Sequence, residues 1–141
     1  MNKQGETSHF HHEDDHYASF LRRAAAGIID GLLIGNIGKF VGTMFFSPED
    51  LKLVGFSATL GWLYFALMES SKQQGTIGKI FMKIKVTDLN GNKVNFLKAS
   101  IRHFSKLLSA IILGIGYLMV LWTDRRQALH DIIAKTLVVK R

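Results

Sequence analysis

The chain has 141 residues, no cysteine and one proline, with 48% hydrophobic residues, 21% charged residues and a formal net charge of +7. That length fits one domain, and without cysteine neither a disulfide framework nor a thiolate metal site can form. Greasy stretches must alternate with charged ones, and the basic excess suits either nucleic acid or an anionic membrane face.

Residues 1–16 have no basic start followed by an apolar run, so they read as a mobile, polar tail rather than a leader. In it His9, His11, His12 and His16 stand among Glu13, Asp14 and Asp15, a composition that could hold Zn²⁺ or Ni²⁺ loosely; a solvated tail is the plainer reading. Residues 17–141 then form the folded part.

Three apolar segments follow, at 24–46, 53–68 and 107–122. A membrane-crossing helix needs about 20 mainly apolar residues, and the first two qualify once flanking residues are counted. A soluble helix would carry a broad polar face, whereas LVGFSATLGWLYFALM offers only Ser57 and Thr59. The expected fold is therefore a mainly α-helical membrane protein with two transmembrane helices. The third segment holds Gly114 and Gly116, and glycine weakens a helix there. It is either a re-entrant or kinked hairpin broken near 113–117, or a third span.

Basic residues fix the orientation. Lys72, Lys79, Lys83, Lys85, Lys93, Lys98, Arg102 and Lys106 lie between the second and third segments, Arg22 and Arg23 precede the first, and the short link holds only Lys52. Positive loops stay cytoplasmic, so the N-terminus and the long middle stretch face the cytoplasm. Arg125, Arg126, Lys135, Lys140 and Arg141 favour the same side for the C-terminus. This clustering accounts for the charge without nucleic acid, of which no binding motif is present. A helix over 97–106 would set Lys98, Arg102 and Lys106 on one face, toward the bilayer's anionic lipid.

Within KIKVTDLNGNKVNF, Ile84 and Val86 alternate with polar residues and Asn90-Gly91 signals a tight hairpin, with a second strand over 93–96. Thr136–Lys140 is a candidate third strand. The expectation is a small cytoplasmic β-hairpin or three-stranded sheet.

Arg23 and Asp30 are seven apart, hence on one helix face roughly 10 Å apart, with Ala26 and Gly27 between them. A charged Asp within a span costs about 2.5 to 3.5 kcal/mol, so it needs a partner. Arg22 or Arg23 of a neighbouring copy, Lys39, Arg102, Arg125 and Arg126 are candidates, and Glu69 could join them. Either a salt bridge holding helices together or an ion or proton site would result. Asp131 could cap the following helix or accept from Arg125 or Arg126, beside His130. With no serine or cysteine near them in the sequence, no enzyme and no cofactor are expected. GTIGK lacks the full phosphate-loop pattern, so nucleotide binding is not expected either.

From Tyr17 onward the runs YASFLRRAAAGIID, GTIGKIFMKIKVTDLNGNKV, IRHF and RRQALHDIIAKTLVV resemble the RDD family of bacterial membrane proteins. The resemblance puts the family's arginine on Arg23 and its two aspartates on Asp30 and Asp131. A proline common in the family's final hydrophobic stretch is absent here, where Gly114 and Gly116 stand. What the resemblance implies is a multi-pass protein of the bacterial inner membrane and a transport role, including cation–proton exchange. Two expectations follow. One is a homo-oligomer moving a small ligand or cation, because so few helices per chain make a poor pathway. The other is a structural or accessory subunit whose Arg/Asp network fixes helix packing while the β module docks a partner.

Overall fold

Ser19 starts the first long helix. In the computed structural model, which describes residues 16–112 and 115–141, its hydroxyl accepts from the Arg22 amide and α1 runs Phe20–Gly42. A side-chain oxygen here satisfies an orphan amide of the first turn. Asp50 does the same for α2, Leu51–Ser70, accepting from the Lys52 amide at 2.9 Å. Both helices are long and apolar enough to cross a membrane. They pack antiparallel, with Gly38 beside Ser57 and Gly42 beside Leu53. Their outer faces leave Ile28, Leu32, Phe40, Val54 and Leu67 exposed, which suits a lipid surround.

The chain then builds the same short unit twice. Helix α3, Ile77–Phe81, reverses at Lys83 (φ 56°) into strand β1, Ile84–Asp88. Near the C-terminus a helix over Leu129–Ala134 reverses at Lys135 (φ 53°) into β2, Thr136–Lys140. A left-handed residue just past a helix lets the chain turn sharply. The strands pair antiparallel, from Ile84 opposite Lys140 to Asp88 opposite Thr136. The other edge of β2 meets the N-terminal segment: the Ala18 amide donates to the Val138 carbonyl at 2.9 Å, and Tyr17 bridges Val139.

The expected local hairpin and three-stranded sheet are corrected here. The Asn90-Gly91 turn does form, with Gly91 at φ 83° and the Asp88 carboxylate accepting from the Asn90 and Asn92 amides at 2.8 Å each. Residues 93–96 nevertheless do not become a strand. Asn95 accepts from the Lys98 amide at 2.8 Å and caps α4, Phe96–Ile111. The cap commits the chain to helix, so β1 takes the C-terminal strand as its partner and the sheet has two strands.

Helix α4 merges the expected helix at 97–106 with the start of the third apolar segment. Beyond it, α5 (Ile115–Leu118) and a 3₁₀ turn, Met119–Leu121, meet α4 at 114°. The third segment is thus bent, not one straight helix. A Cβ at Gly116 would lie 2.8 Å from the Ser109 Cα, so the fold-back needs glycine there. Leu129–Ala134 is α6. The core gathers Ala18, Ala26, Ala66, Ile84, Val86, Val94, Ala99 and Val138. It lies where one end of the α1–α2 pair meets the sheet, which is also where the charges collect.

Candidate functional site

Five charged side chains form a row of alternating sign. Asp131, fully buried on α6, accepts from Arg23 of α1 and from Arg102 Nε of α4, the latter at 2.8 Å. Arg102 Nη1 donates to Glu69 Oε1 of α2 at 2.6 Å, and Lys79 Nζ of α3 donates to the same oxygen at 2.7 Å. A buried charge is costly unless paired and hydrogen-bonded, and every member of this row meets an opposite charge. Asp131 Oδ2 also takes the Ala128 amide at 3.0 Å, so it caps α6 as anticipated.

The electrostatics follow from that packing. Burial alone would raise the Asp131 carboxyl, but the Arg23 and then Arg102 guanidiniums override it and hold the group well below the usual carboxylate range. Burial pushes Lys79 below the usual lysine range against the pull of Glu69. It also pushes His130 down to about 2, although Asp131 opposes it. His130 Nε2 lies 3.5 Å from Asp131 Oδ1, and Nδ1 lies 3.4 Å from Ser109 Oγ. That serine lies far off in sequence and arrives only through the fold. Ser109 is fully enclosed, whereas His130 lines the cavity described below.

Asp30 is buried as expected, but its expected cationic partner is corrected. Tyr64 Oη and the Gly78 amide each donate to Oδ1 at 2.9 Å, and Thr76 Oγ1 donates to Oδ2 at 2.5 Å. The Ile77 amide in turn donates to Tyr64 Oη at 3.0 Å. Three donors replace the water the carboxylate gave up. The physical reason is Gly78: a Cβ there would lie 2.9 Å from the Asp30 Cγ and would press on the Ala26 carbonyl. Only a bare backbone lets α3 approach that closely.

The remaining residues fall as follows. Arg23 pairs with Asp131 rather than with Asp30, and Arg102 and Glu69 join the row. Arg126 serves through its carbonyl, which accepts from Arg23 Nη1 at 2.8 Å, and Arg125 is exposed. Neither arginine pairs with Asp131, which corrects that expectation. Arg22 and Lys39 enter no ion pair among the described residues. His16 is exposed, while His9, His11 and His12 lie outside the described residues. Among the described residues no His/Asp/Glu group is placed to hold a metal.

A cavity of about 430 Å³ opens beside these groups. Arg23, Lys79, Arg102 and Lys106 give it four cationic side chains, and Asp30 and His130 also reach it. Phe20, Ala24, Phe65, Tyr117, Val120 and Ala128 make the rest of the wall largely apolar. Sequence reasoning missed Tyr64, Thr76, Gly78 and the coupling of Lys79 to Glu69. The one available signal was GTIGK itself, where Thr76 and Gly78 sit.

Comparison with known proteins gives a consistent context. The RDD family profile matches residues 17–135. The "Uncharacterized protein YxaI" of Bacillus subtilis (strain 168) is 38% identical over 97 residues, which is 69% of this chain and 61% of that protein. The "Uncharacterized protein RP437" of Rickettsia prowazekii (strain Madrid E) is 30% identical over 111 residues, 77% of this chain and 57% of that one. The "Proline-rich antigen homolog" of Mycobacterium tuberculosis (strain ATCC 25618 / H37Rv) is 32% identical over 93 residues, 62% of this chain and 39% of the relative. The chain therefore spans less than two thirds of the length of these relatives. No solved structure matches it.

Proposed function

Because the chain belongs to the RDD family, and its Arg23 and Asp30 both open onto one charged cavity, we propose that it moves a small ligand across the membrane as a homo-oligomer. The shared cavity is the observation that carries this reading. Two motif side chains placed only for packing would not need to face the same space. Two long helices per chain are few for an alternating pathway, so several copies supply it. Four cationic side chains on the wall favour a ligand with anionic character over a bare cation.

The protein sits in the bacterial inner membrane with more than one pass and with both termini cytoplasmic. The positive stretches support that orientation. So does the pairing of Ala18 with Val138, which keeps the two ends of the folded part together. The basic face expected on α4 does not turn to lipid as a whole: Arg102 is buried between Asp131 and Glu69, and Lys106 reaches the cavity over Phe65.

The test is reconstitution into sealed vesicles loaded with a pH-sensitive dye, under sodium, potassium and phosphate gradients in turn. The wild type should give a protein-dependent signal under at least one gradient, and Asp30→Asn should remove it while still inserting. No signal under any gradient would overturn the transport reading. It would favour the second one, an accessory subunit whose sheet docks a cytoplasmic partner. That alternative draws its support from the charge row, which links α1, α6, α4, α2 and α3.

A further inference from the structure

The charges around the cavity do not cancel. Arg23, Arg102 and Lys79 stand against the carboxylates of Asp131, Glu69 and Asp30. Lys106, one turn beyond Arg102 on α4, is the surplus. It makes no ion pair among the described residues, and its Nζ lies 4.2 Å from the centre of the Phe65 ring. A half-enclosed ammonium over an aromatic face, inside largely apolar walls, feels the Glu69 and Asp131 carboxylates, which Arg102, Lys79 and Arg23 already engage, and has no counter-ion of its own in contact. Asp30 does not provide it, since Tyr64, Thr76 and Gly78 already occupy its oxygens.

The way out of the cavity is equally specific. Gly27 lines it and is exposed. Gly31 and Gly35 follow at four-residue steps along the same face of α1, and both are exposed. A Cβ built at any of the three meets nothing within 4 Å. An open strip without side chains thus runs from the cationic cavity along the surface of a helix long and apolar enough to cross the membrane. The volume of about 430 Å³ lies in the range of small-ligand sites, roughly 300 to 1,000 Å³, so a head group fits inside and the body of a lipid does not.

We propose that this cavity holds the phosphate head group of an anionic lipid, with Lys106 as its ionic contact and the Gly27, Gly31 and Gly35 face as the seat of an acyl chain. The proposal rests on the reading of the cavity as the ligand site and names the ligand's class. The head group brings the missing negative charge. The open strip that leads from the cavity along an apolar helix favours a lipid over a free phosphate, which would have no use for it.

The full chain would be placed in nanodiscs of equal parts phosphatidylglycerol and phosphatidylcholine, and the lipid it retains counted by native mass spectrometry. Wild type should prefer phosphatidylglycerol by about tenfold, the scale of one charge-assisted hydrogen bond. Lys106→Gln should bring the preference to parity and Lys106→Arg should keep it. Gly31→Leu should lose the lipid while calorimetry with inorganic phosphate is unchanged. Equal retention of both lipids by the wild type, or a preference that Lys106→Gln leaves intact, would overturn the proposal. So would Lys106-dependent binding of inorganic phosphate without any lipid preference, which gives the site to a free solute. A change of subunit number alone in Gly31→Leu would give the strip to a second copy and also overturn it. Vesicle flux separates the two readings. Asp30-dependent flux without a lipid preference defeats only the ligand class, and a Lys106-dependent lipid without flux defeats only transport.

Discussion

Asp30 and Asp131 are both fully buried carboxylates, yet their surroundings are opposite in kind. Asp131 sits between two guanidiniums, whereas Asp30 is held by two hydroxyls and one backbone amide. Each is served by one of the two short helix–strand units. The α3 unit brings Thr76 and Gly78 to Asp30, and the α6 unit carries Asp131 to Arg23. Low dielectric makes ionic pairs strong but leaves a survivor stranded when its partner goes. Neutral donors are individually weaker, and losing one strands less. The Asp131 end is thus built as a fixed tie, while the Asp30 end keeps a carboxylate on a cavity wall without tying it to a cation.

The sharpest way to break this contrast is the same isosteric change at both positions. Asp131→Asn leaves Arg23 and Arg102 facing a neutral amide, and the loss should be about 3–5 kcal/mol, the scale of an uncompensated buried charge. Asp30→Asn turns an amide NH₂ toward groups that already donate, and should cost about 1–3 kcal/mol. Melting in detergent measures both. Equal losses would mean the two sites do not differ in kind. Gly78→Ala tests the Asp30 end from the other side. Its Cβ would crowd the carboxylate and the Ala26 carbonyl, so a loss of about 1–3 kcal/mol is expected, with helices α1 and α2 retained.

How much of this was legible depended on the range of the interaction. Apolar length announced α1 and α2, because membrane insertion is decided within a segment. The glycine pair announced the bend at the third segment for the same local reason. Partner choice was not local. Arg23 and Asp30 do share a face, as their spacing required, but the arginine spans 108 positions to reach Asp131. Asn95 is at once a plausible strand residue and a good helix cap, and the cap prevails over the local hairpin. Thr76 and Gly78 stand in GTIGK, where the pattern by itself suggests only an incomplete phosphate loop. Their actual acceptor is a protein carboxylate, which asks for the same exposed amide and hydroxyl as a phosphate does.

Acid separates the two ends on a smaller scale. His130 is held neutral by burial, down to about 2, against an ordinary value of 6.5. Between those values the unfolded chain binds a proton that the native one refuses, so the contribution of this histidine is complete above about pH 6.5 and is lost as pH drops. One unit below 6.5 the loss should be about 1 kcal/mol. Asp131, whose carboxyl is depressed, adds a loss of the same sign once the pH falls below its ordinary 3.8. Burial also lowers His103, to about 4, so it adds a loss of the same sign over the upper part of this window. Melting temperature against pH should therefore slope below 6.5, His130→Gln should reduce that slope, and His130→Gln with His103→Gln should flatten it while leaving the deeper acid limb. A slope that survives the double substitution unchanged would place the titration elsewhere.

The smallest effects should come from the other arginines that stand near the expected site. Arg22 and Arg125 enter no ion pair among the described residues. Arg126 contributes its carbonyl to Arg23, an atom that any replacement retains. Arg22→Gln, Arg125→Gln and Arg126→Gln should each shift stability by no more than about 0.5 kcal/mol. Arg23→Gln, one position from Arg22, should cost several times that, since it strips a guanidinium from the Asp131 carboxylate and from the Arg126 carbonyl together. Adjacent residues on a helix lie 100° apart, so one of the pair faces the cavity and the other turns away from it. A loss at Arg22→Gln to match that at Arg23→Gln would mean that the buried row extends past its first arginine, and that the contrast between the two aspartates rests on an incomplete set of partners.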